Sequence, residues 1–320
     1  MENVDLSIIC LAYNHEKYIR KTLDGFINQE TKYKYEVLIN DDASTDHTAE
    51  IIREYEKNYP KIIKPIYQVE NQYSKKVNLT QMLLNRACGN FFAFCEGDDF
   101  WIDKNKIELQ VDYLSKHDRC SLCICNAYVV ENNNLDYISK IEVCNNSSII
   151  PIKRIIKGGG DFCATNSIMA RMKDAKNAPV FLIEFGLDYT WQIYLASCGY
   201  TYCFDEYMTV YRSNSTNSWT NRMASDLDKS ENVYRKIVKM LYKYDDYTCL
   251  KYHRYVKSAI LKNDLNIAEI IVKRNDYDYL NKEYIAEWYK FLSPYVKAKL
   301  FVWRNFPKLY TMYRYIMGRK

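Results

Sequence analysis

The first hundred residues alternate short apolar runs with segments whose apolar residues recur at helical spacing. Continuous apolar strands joined by helices are typical of a mostly parallel sheet that is covered on both faces. The pattern therefore predicts an α/β fold, with Gly89 as the cap of the third helix. The predicted strands are 6–11, 37–39, 62–69 and 91–95, and the predicted helices are 18–27, 48–58 and 79–88.

Three of the four predicted strands end in polar or acidic residues. These residues are Tyr13-Asn14, Asp41-Asp42 and Asp98-Asp99. Ligands of open α/β sheets bind beyond the carboxyl ends of the strands. Because polar groups at the ends of apolar strands are hard to explain as packing, this edge of the sheet is predicted to be a ligand site.

The paired acids Asp98 and Asp99 favour a cation. Adjacent carboxylates repel each other, and oxygen ligands suit Mg²⁺ or Mn²⁺, which usually also binds substrate phosphates. The alternative is that the pair begins the helix predicted from Asp103 to His117, where the helix dipole would stabilise it.

Beyond that helix the strand patterns become shorter and then end. A helix is predicted at 187–197, and from about residue 224 only helical patterns remain, so a boundary is predicted near 213–224. The shorter strands are predicted at 122–130, 141–144, 200–204 and 208–212.

The cysteines and the apolar runs bear on the compartment. The chain has 11 cysteines with scattered spacing, which favours free thiols in a reducing compartment. Cys123 and Cys125 share one strand face with no second cluster, so packing explains them better than zinc. No secretory signal and no run of about 20 apolar residues is found, and a cytoplasmic protein is expected.

The charge is unevenly placed. The net charge is +5, and residues 288–320 hold eight Lys/Arg and no Asp/Glu among many aromatic residues. This basic aromatic tail could lie on the inner face of an anionic membrane, or it could pack on the rest of the protein. Because the excess is confined to the tail, no nucleic-acid partner is expected.

Three segments carry a resemblance. Ser7–Asn14, Val37–Asp46 and Cys95–Trp101, with their spacing, resemble the inverting nucleotide-sugar glycosyltransferases of the GT-A fold, family 2-like. The resemblance covers roughly residues 5–215. The Glu-Gly-Asp-Asp-aromatic-Trp motif is similar to members that build bacterial surface polysaccharides such as lipopolysaccharide and capsule.

The resemblance implies a division of the chain. Residues 1–219 would be the catalytic domain, with a donor half at 1–103 and an acceptor half at 104–219. Residues 220–320 would be a helical C-terminal region that ends in the basic tail.

The resemblance also implies the roles of the strand-end residues. Ala12, Tyr13 and Asn14 would line the nucleoside pocket, and Asp41 or Asp42 would accept a hydrogen bond from the base or ribose. Asp98 would hold the ribose or the metal. Asp99 would ligate the Mg²⁺ or Mn²⁺ that bridges the diphosphate and offsets its growing charge.

Inversion needs a base opposite the leaving group. The segment Gly186–Trp191 matches the catalytic-base segment of the family, so Asp188 is the candidate and Glu184 the alternate. The other interpretation of Asp188 is a helix cap.

Tyr211-Arg212 matches a pair that precedes a loop over the diphosphate. Arg212, with Trp219, would cover the diphosphate. The chain has Asn214 where family members commonly have His, so the ligand or donor that this His supplies is missing.

These observations predict transfer of a sugar from a UDP-type donor to a glycan or lipid-linked acceptor, with inversion. The alternative is a non-catalytic protein on the same scaffold that binds a nucleotide sugar or a glycan; the carboxylates argue against it and Asn214 leaves it open. A nucleotidyltransferase would have a Gly-rich basic loop after the first strand, and this chain does not.

Overall fold

The computed structural model describes residues 4–131, 135–213, 226–273, 294–306 and 308–309. The strands are β1 (Leu6–Ala12), β2 (Tyr35–Asp41), β3 (Ile63–Tyr67), β4 (Phe91–Phe94), β5 (Phe100–Trp101), β6 (Cys120–Glu131), β7 (Ser139–Ile141), β8 (Ser148–Ile150), β9 (Met169–Arg171) and β10 (Tyr200–Ser213). The helices are α1 (Ile19–Ile27), α2 (Thr48–Asn58), α3 (Leu79–Arg86), α4 (Lys106–Lys116), α5 (Ile152–Gly158), α6 (Met172–Lys176), α7 (Val180–Phe185), α8 (Asp188–Cys198), α9 (Leu227–Tyr247), α10 (His253–Lys273) and α11 (Pro294–Asn305).

The ten described strands form one sheet, with the order β3-β2-β1-β4-β9-β6-β10-β5 and with β7 paired to β6 and β8 paired to β10 outside this order. Strands β3, β2, β1 and β4 run parallel, as the sequence predicts. The short strand β9 lies antiparallel between β4 and β6, and it joins this half of the sheet to the parallel pair of β6 and β10. The α/β prediction is confirmed.

The strands are apolar on both faces because helices cover both sides of the sheet. In β1, Ile8 packs with Phe26 of α1 and Ile52 of α2, whereas Ile9 lies in the core of the opposite layer with Leu83 of α3. Successive strand residues point to opposite faces, so neighbouring isoleucines serve different layers. Burying each such side chain contributes about 1.5–3 kcal/mol.

Two C-terminal helices, α9 and α10, belong to the second of these layers. Leu241 of α9 and Val256 of α10 share its core with Trp191 of α8. The hydroxyl of Tyr244 donates to the carbonyl of Ile193 at 3.2 Å. The C-terminal helices are therefore present, and α9 and α10 share their core with the sheet.

Three local predictions are wrong. Helix α3 ends at Arg86, because Ala87 is already extended, so Gly89 is not its cap. A Cβ on Gly89 would lie 2.6 Å from the backbone nitrogen of Ser7, so the glycine permits a close backbone approach. The patterns at 200–204 and 208–212 form one strand, β10, with register shifts between them. The predicted strand at 141–144 ends at Ile141.

Other predictions lie partly outside the described residues. The boundary at 213–224, Asn214, Trp219 and most of the basic tail are among them. In the described part of the chain, no helix has the length and apolar character to cross a membrane. All 11 cysteines are free thiols, and Cys123 and Cys125 pack in one core, as predicted.

Candidate active site

The parallel register brings the predicted strand ends together. Ala12, the last residue of β1, lies opposite Asp41, the last residue of β2. On the other side of β1, Ile9 pairs with Phe94, after which the chain turns through the acidic motif. The same edge of the sheet therefore carries all three motifs.

Asn14 shapes the first loop through its backbone. Its φ is 55°, in the left-handed region that Asn tolerates better than most residues. Its N–H donates to Ser44 Oγ at 3.0 Å, and its Oδ1 accepts the N–H of Thr45 at 2.8 Å. These bonds tie the loop after β1 to the loop after β2. Tyr13 is 41% exposed, which leaves its ring accessible for stacking on a base.

The carboxylate of Asp42 forms hydrogen bonds within the protein. Its Oδ1 accepts the N–H of Gln72 at 2.8 Å and its Oδ2 accepts the N–H of Tyr73 at 3.0 Å. The side chain is buried. Asp42 therefore anchors the loop after β3, and both of its oxygens already accept a backbone N–H.

The carboxylate of Asp41 can still accept a hydrogen bond. It is buried, and its Oδ2 accepts the N–H of Ser44 at 3.4 Å. Its Oδ1 is buried with no hydrogen-bond partner among the described residues. Burial raises the pKa of this carboxyl above its ordinary value. A buried acceptor without a donor fits an N–H or O–H of a bound nucleoside, so of the two acids Asp41 is the available one.

The acidic turn follows β4 and is held from two sides. The N–H of Gly97 donates to the carbonyl of Leu11 at 2.9 Å, and the hydroxyl of Thr22 donates to the carbonyl of Asp99 at 2.6 Å. A Cβ on Gly97 would lie 2.8 Å from His15 Nδ1 and 3.1 Å from Ala12 Cβ. Glycine is therefore needed for the turn to lie against β1.

Asp99 is the buried member of the acidic pair. Its Oδ1 accepts the backbone N–H of Arg212 at 2.8 Å, and Asp98 beside it is only partly buried. Its pKa is raised by burial first, then by the negative charge of Asp98 and of Glu96. The turn therefore concentrates negative charge at one point of the cleft.

Arg212 lies against this turn. Its Nε donates to the carbonyl of Asp98 at 2.9 Å, and its guanidinium lies 4.6 Å from the centre of the Tyr18 ring. Burial lowers its pKa. Arg212 therefore joins β10 to the acidic turn, and whether it also contacts a diphosphate stays a prediction.

Asp188 is the first residue of α8, and Leu187 precedes it as the cap. Its Oδ2 accepts the hydroxyl of Thr165 at 2.8 Å, and no capping hydrogen bond from a side chain is formed at this helix end. Desolvation of the carboxyl raises its pKa, although the hydrogen bond from Thr165 opposes this. The carboxyl is therefore oriented by a residue outside its helix, which a simple cap would not need.

Glu96 connects Asp188 with the acidic turn. The residue is exposed at the protein surface. Desolvation of its carboxyl, then the charges of Asp188 and Asp98, raise its pKa to about 8. Asp188 and the turn therefore lie near each other across the cleft. Glu184 instead contacts Lys243 Nζ of α9 at 3.4 Å, so it faces the C-terminal helices.

The sequence patterns assign no role to Glu96 or Thr165. The position of Glu96 inside the acidic motif is a signal that could have identified it. Thr165 lies 23 residues from Asp188 in the chain and forms no motif with it.

The donor set fits a hard cation shared with a substrate. Within the described ranges no three His, Cys, Asp or Glu side chains converge as a metal site. Asp98 and Asp99 supply two carboxylates, and Mg²⁺ is commonly held by one or two carboxylates plus substrate phosphates. The like charges that raise the pKa of Asp99 are those that a divalent cation would neutralise.

Comparison with known proteins places the chain in a family. Residues 7–176, more than half of the chain, match the sequence model of Glycosyl transferase family 2. The chain is 33% identical over 216 residues to Rv1520, an uncharacterized protein of Mycobacterium tuberculosis, a match that covers 67% of this chain and 60% of that protein. The chain thus spans less than two thirds of the length of this relative.

A second relative has a named activity. The chain is 30% identical over 136 residues to WfgD of Escherichia coli, a UDP-Glc:alpha-D-GlcNAc-diphosphoundecaprenol beta-1,3-glucosyltransferase. The match covers 42% of this chain and 50% of WfgD.

Solved structures share the fold. Residues 1–349 of Staphylococcus aureus TarS in complex with UDP-GlcNAc match with a TM-score of 0.59 at 16% identity, over 90% of this chain and 79% of that one. The mannosyltransferase PcManGT of Pyrobaculum calidifontis, in complex with GDP-Man and Mn²⁺, matches with a TM-score of 0.55 at 13% identity, over 96% and 83%. The chain therefore belongs to glycosyl transferase family 2 and has the GT-A fold.

Proposed function

We propose that this protein transfers a sugar from a nucleotide diphosphate, of the UDP type, to a hydroxyl of a glycan or lipid-linked acceptor, with inversion at the anomeric carbon. The observation that carries the proposal is that Asp188 lies near the acidic turn, because the charges of Asp188 and Asp98 both act on Glu96. In this arrangement Asp98 and Asp99 would form a metal-binding side and Asp188 a proton-accepting side.

The nucleoside part of the donor would occupy the ends of β1 and β2. The exposed ring of Tyr13 offers a stacking surface, and the unpaired Oδ1 of Asp41 offers an acceptor for an N–H or O–H. Asn14 and Asp42 contribute by fixing the loops around this pocket.

Asp98 and Asp99 would hold Mg²⁺ or Mn²⁺, which when bound offsets the charge that grows on the departing diphosphate. Asp99 reaches this position from a fixed turn, because one of its oxygens is tied to the backbone of Arg212. Preorganised groups of this kind need no rearrangement during the reaction.

Asp188 would act as the general base. Thr165 donates to its Oδ2, which leaves Oδ1 to take the proton of the acceptor hydroxyl as that oxygen attacks the anomeric carbon. A single displacement from the face opposite the diphosphate inverts the configuration. The raised pKa of Asp188 makes it a stronger base than an ordinary carboxylate.

The relatives support the donor and acceptor classes. WfgD uses UDP-Glc and a diphosphoundecaprenol-linked sugar by its name, and TarS binds UDP-GlcNAc. We further propose a role in polysaccharide synthesis at the cytoplasmic face of a membrane, which the undecaprenol-linked acceptor of WfgD and the scattered cysteine spacing favour. The basic tail is proposed to bind anionic lipid, which co-sedimentation of the full chain and a chain ending at residue 289 with anionic vesicles would test.

A donor screen tests the proposal. The full-length protein is incubated with a panel of UDP-, GDP- and dTDP-sugars and mixed glycan acceptors, with Mn²⁺ or with EDTA, and release of the nucleoside diphosphate is measured. Release from one UDP-sugar that needs Mn²⁺ and acceptor is expected. Binding of nucleotide sugars with no release under any condition would favour the non-catalytic alternative.

A further inference from the structure

A second charged concavity lies outside the cleft, between α5 and α10. This α5–α10 pocket, of about 590 Å³, is lined by Lys153, Arg154, Lys157, Gly158, Arg254 and Tyr255. Its two walls come from parts of the chain that are a hundred residues apart, and both contribute cations. Ligand pockets commonly have volumes of about 300–1,000 Å³.

The positive charge of the pocket is not balanced locally. Lys153, Arg154, Lys157 and Arg254 are exposed side chains, and none forms an ion pair with a carboxylate in the described part of the chain. Arg154 Nη2 donates to the carbonyl of Val143 at 2.8 Å, which fixes the direction of its guanidinium. Four cations around one concavity repel each other unless an anion lies between them.

A run of three glycines at the end of α5 leads from the pocket toward the start of α8. Gly158 lines the pocket, and its carbonyl accepts from Lys262 Nζ at 3.3 Å. A Cβ on Gly160 would lie 3.8 Å from the Cβ of Tyr189, the residue after Asp188. The pocket and Asp188 therefore lie on neighbouring segments of the fold.

We propose that the α5–α10 pocket binds a phosphate or diphosphate group of the acceptor while the acceptor hydroxyl lies at Asp188. This deepens the proposed function and rests on it, because it names the acceptor as phosphate-bearing. Lysine and arginine are the side chains that bind phosphate oxygens most strongly, arginine through paired N–H donors. A concave site with cations on two facing walls suits a compact anion better than the flat surface of a bilayer.

The binding test uses inorganic pyrophosphate in EDTA, which removes the metal contribution of the acidic turn. Titration calorimetry compares the wild-type protein with Lys157→Gln/Arg254→Gln, which removes one cation from each wall. The matched control is Lys57→Gln/Lys61→Gln, two exposed lysines in the last turn of α2 and in the loop after it. The pocket variant is expected to bind pyrophosphate about tenfold or more weakly, since each charge-assisted hydrogen bond contributes about a factor of ten or more. Lys157→Arg/Arg254→Lys should retain binding.

The transfer test separates the two proposals. With the donor found by the screen, pairs of methyl glycosides and the corresponding glycosyl phosphates serve as acceptors. The pocket variant should raise KM for glycosyl phosphates only. If no acceptor reacts, the proposed function fails, while pyrophosphate binding still decides the pocket.

Two results would overturn the inference. One is equal pyrophosphate binding by the wild-type protein and the pocket variant. The other is that neither protein binds pyrophosphate, while the wild-type protein sediments with phosphatidylglycerol vesicles more than with phosphatidylcholine vesicles and the pocket variant does not. That result would make the pocket a membrane contact.

Discussion

The backbone N–H of Arg212 donates to Oδ1 of Asp99 at 2.8 Å, so the acidic turn and the end of β10 are joined 113 residues apart. The two residues are both buried. Asp99 thus has a structural role in addition to the metal-binding role proposed for it, and the two roles can be separated by substitution.

Asp99→Ala is expected to abolish metal-dependent transfer and also to lower the free energy of unfolding by about 1–3 kcal/mol, because a buried N–H loses its acceptor. Asp99→Asn should abolish transfer with a smaller loss of stability, since the amide oxygen can still accept the backbone N–H of Arg212. Urea unfolding in EDTA measures the stability and diphosphate release measures the activity. Near-wild-type turnover of Asp99→Asn in EDTA would refute the metal role.

Asp41 and Asp42 should respond differently to the same change. Asp42→Asn replaces one of two acceptors of backbone N–H groups by a donor, so we expect a loss of about 1–3 kcal/mol in the free energy of unfolding. Asp41→Asn should leave the stability close to the wild-type value and weaken UDP binding. Urea unfolding of both variants measures the stability, and calorimetry measures their affinity for UDP. If Asp41→Asn lowers the stability and Asp42→Asn weakens UDP binding, the roles of the two acids are exchanged.

The carboxyl of Glu96 makes the stability depend on pH. Its pKa is about 8 in the folded protein against an ordinary value of 4.5, so between these values the folded state binds more protons than the unfolded state. The free energy of unfolding should therefore fall as pH rises through this window. Glu96→Gln should flatten the fall, as measured by urea unfolding in EDTA at pH 5 and pH 8. Parallel curves for the two proteins would show that Glu96 is not perturbed.

Thr165→Val removes the hydrogen bond that lowers the pKa of Asp188. A base must be deprotonated to act, so the acidic limb of kcat/KM should move to higher pH in this variant. Thr31→Val removes a similar hydroxyl bond, to Glu108, at a distant carboxylate and serves as the control. An unchanged limb in Thr165→Val would mean that Thr165 does not act on the base.

The sequence predicts the meeting of the first three motifs well because its signals are local. The apolar runs of β1, β2 and β4 and the polar residues after them are contiguous, and parallel pairing brings them together without further information. The role of Asn14 in the loop after β2 is less visible, because it depends on a left-handed backbone.

The surroundings of Asp188 depend on long-range packing, which the sequence does not predict. Strand β9 has three residues, too few for a periodic pattern, yet it joins the two parallel parts of the sheet. Thr165 contacts Asp188 because the turn of 3-10 helix at Thr165–Ser167, just before β9, comes close to the start of α8. The α5–α10 pocket forms where α10 lies beside α5. The sequence of neither helix alone predicts that the two helices meet.

The central claim is that Asp188 takes a proton from the acceptor in a cleft that binds the donor without it. The most direct measurement is the single-turnover rate of Asp188→Asn per bound donor, with UDP affinity measured by calorimetry in Mn²⁺. The rate should fall by about 10²–10⁴-fold while UDP affinity stays near the wild-type value. A collapse of UDP affinity with an unchanged rate per bound donor would contradict the claim and make Asp188 a structural residue of α8.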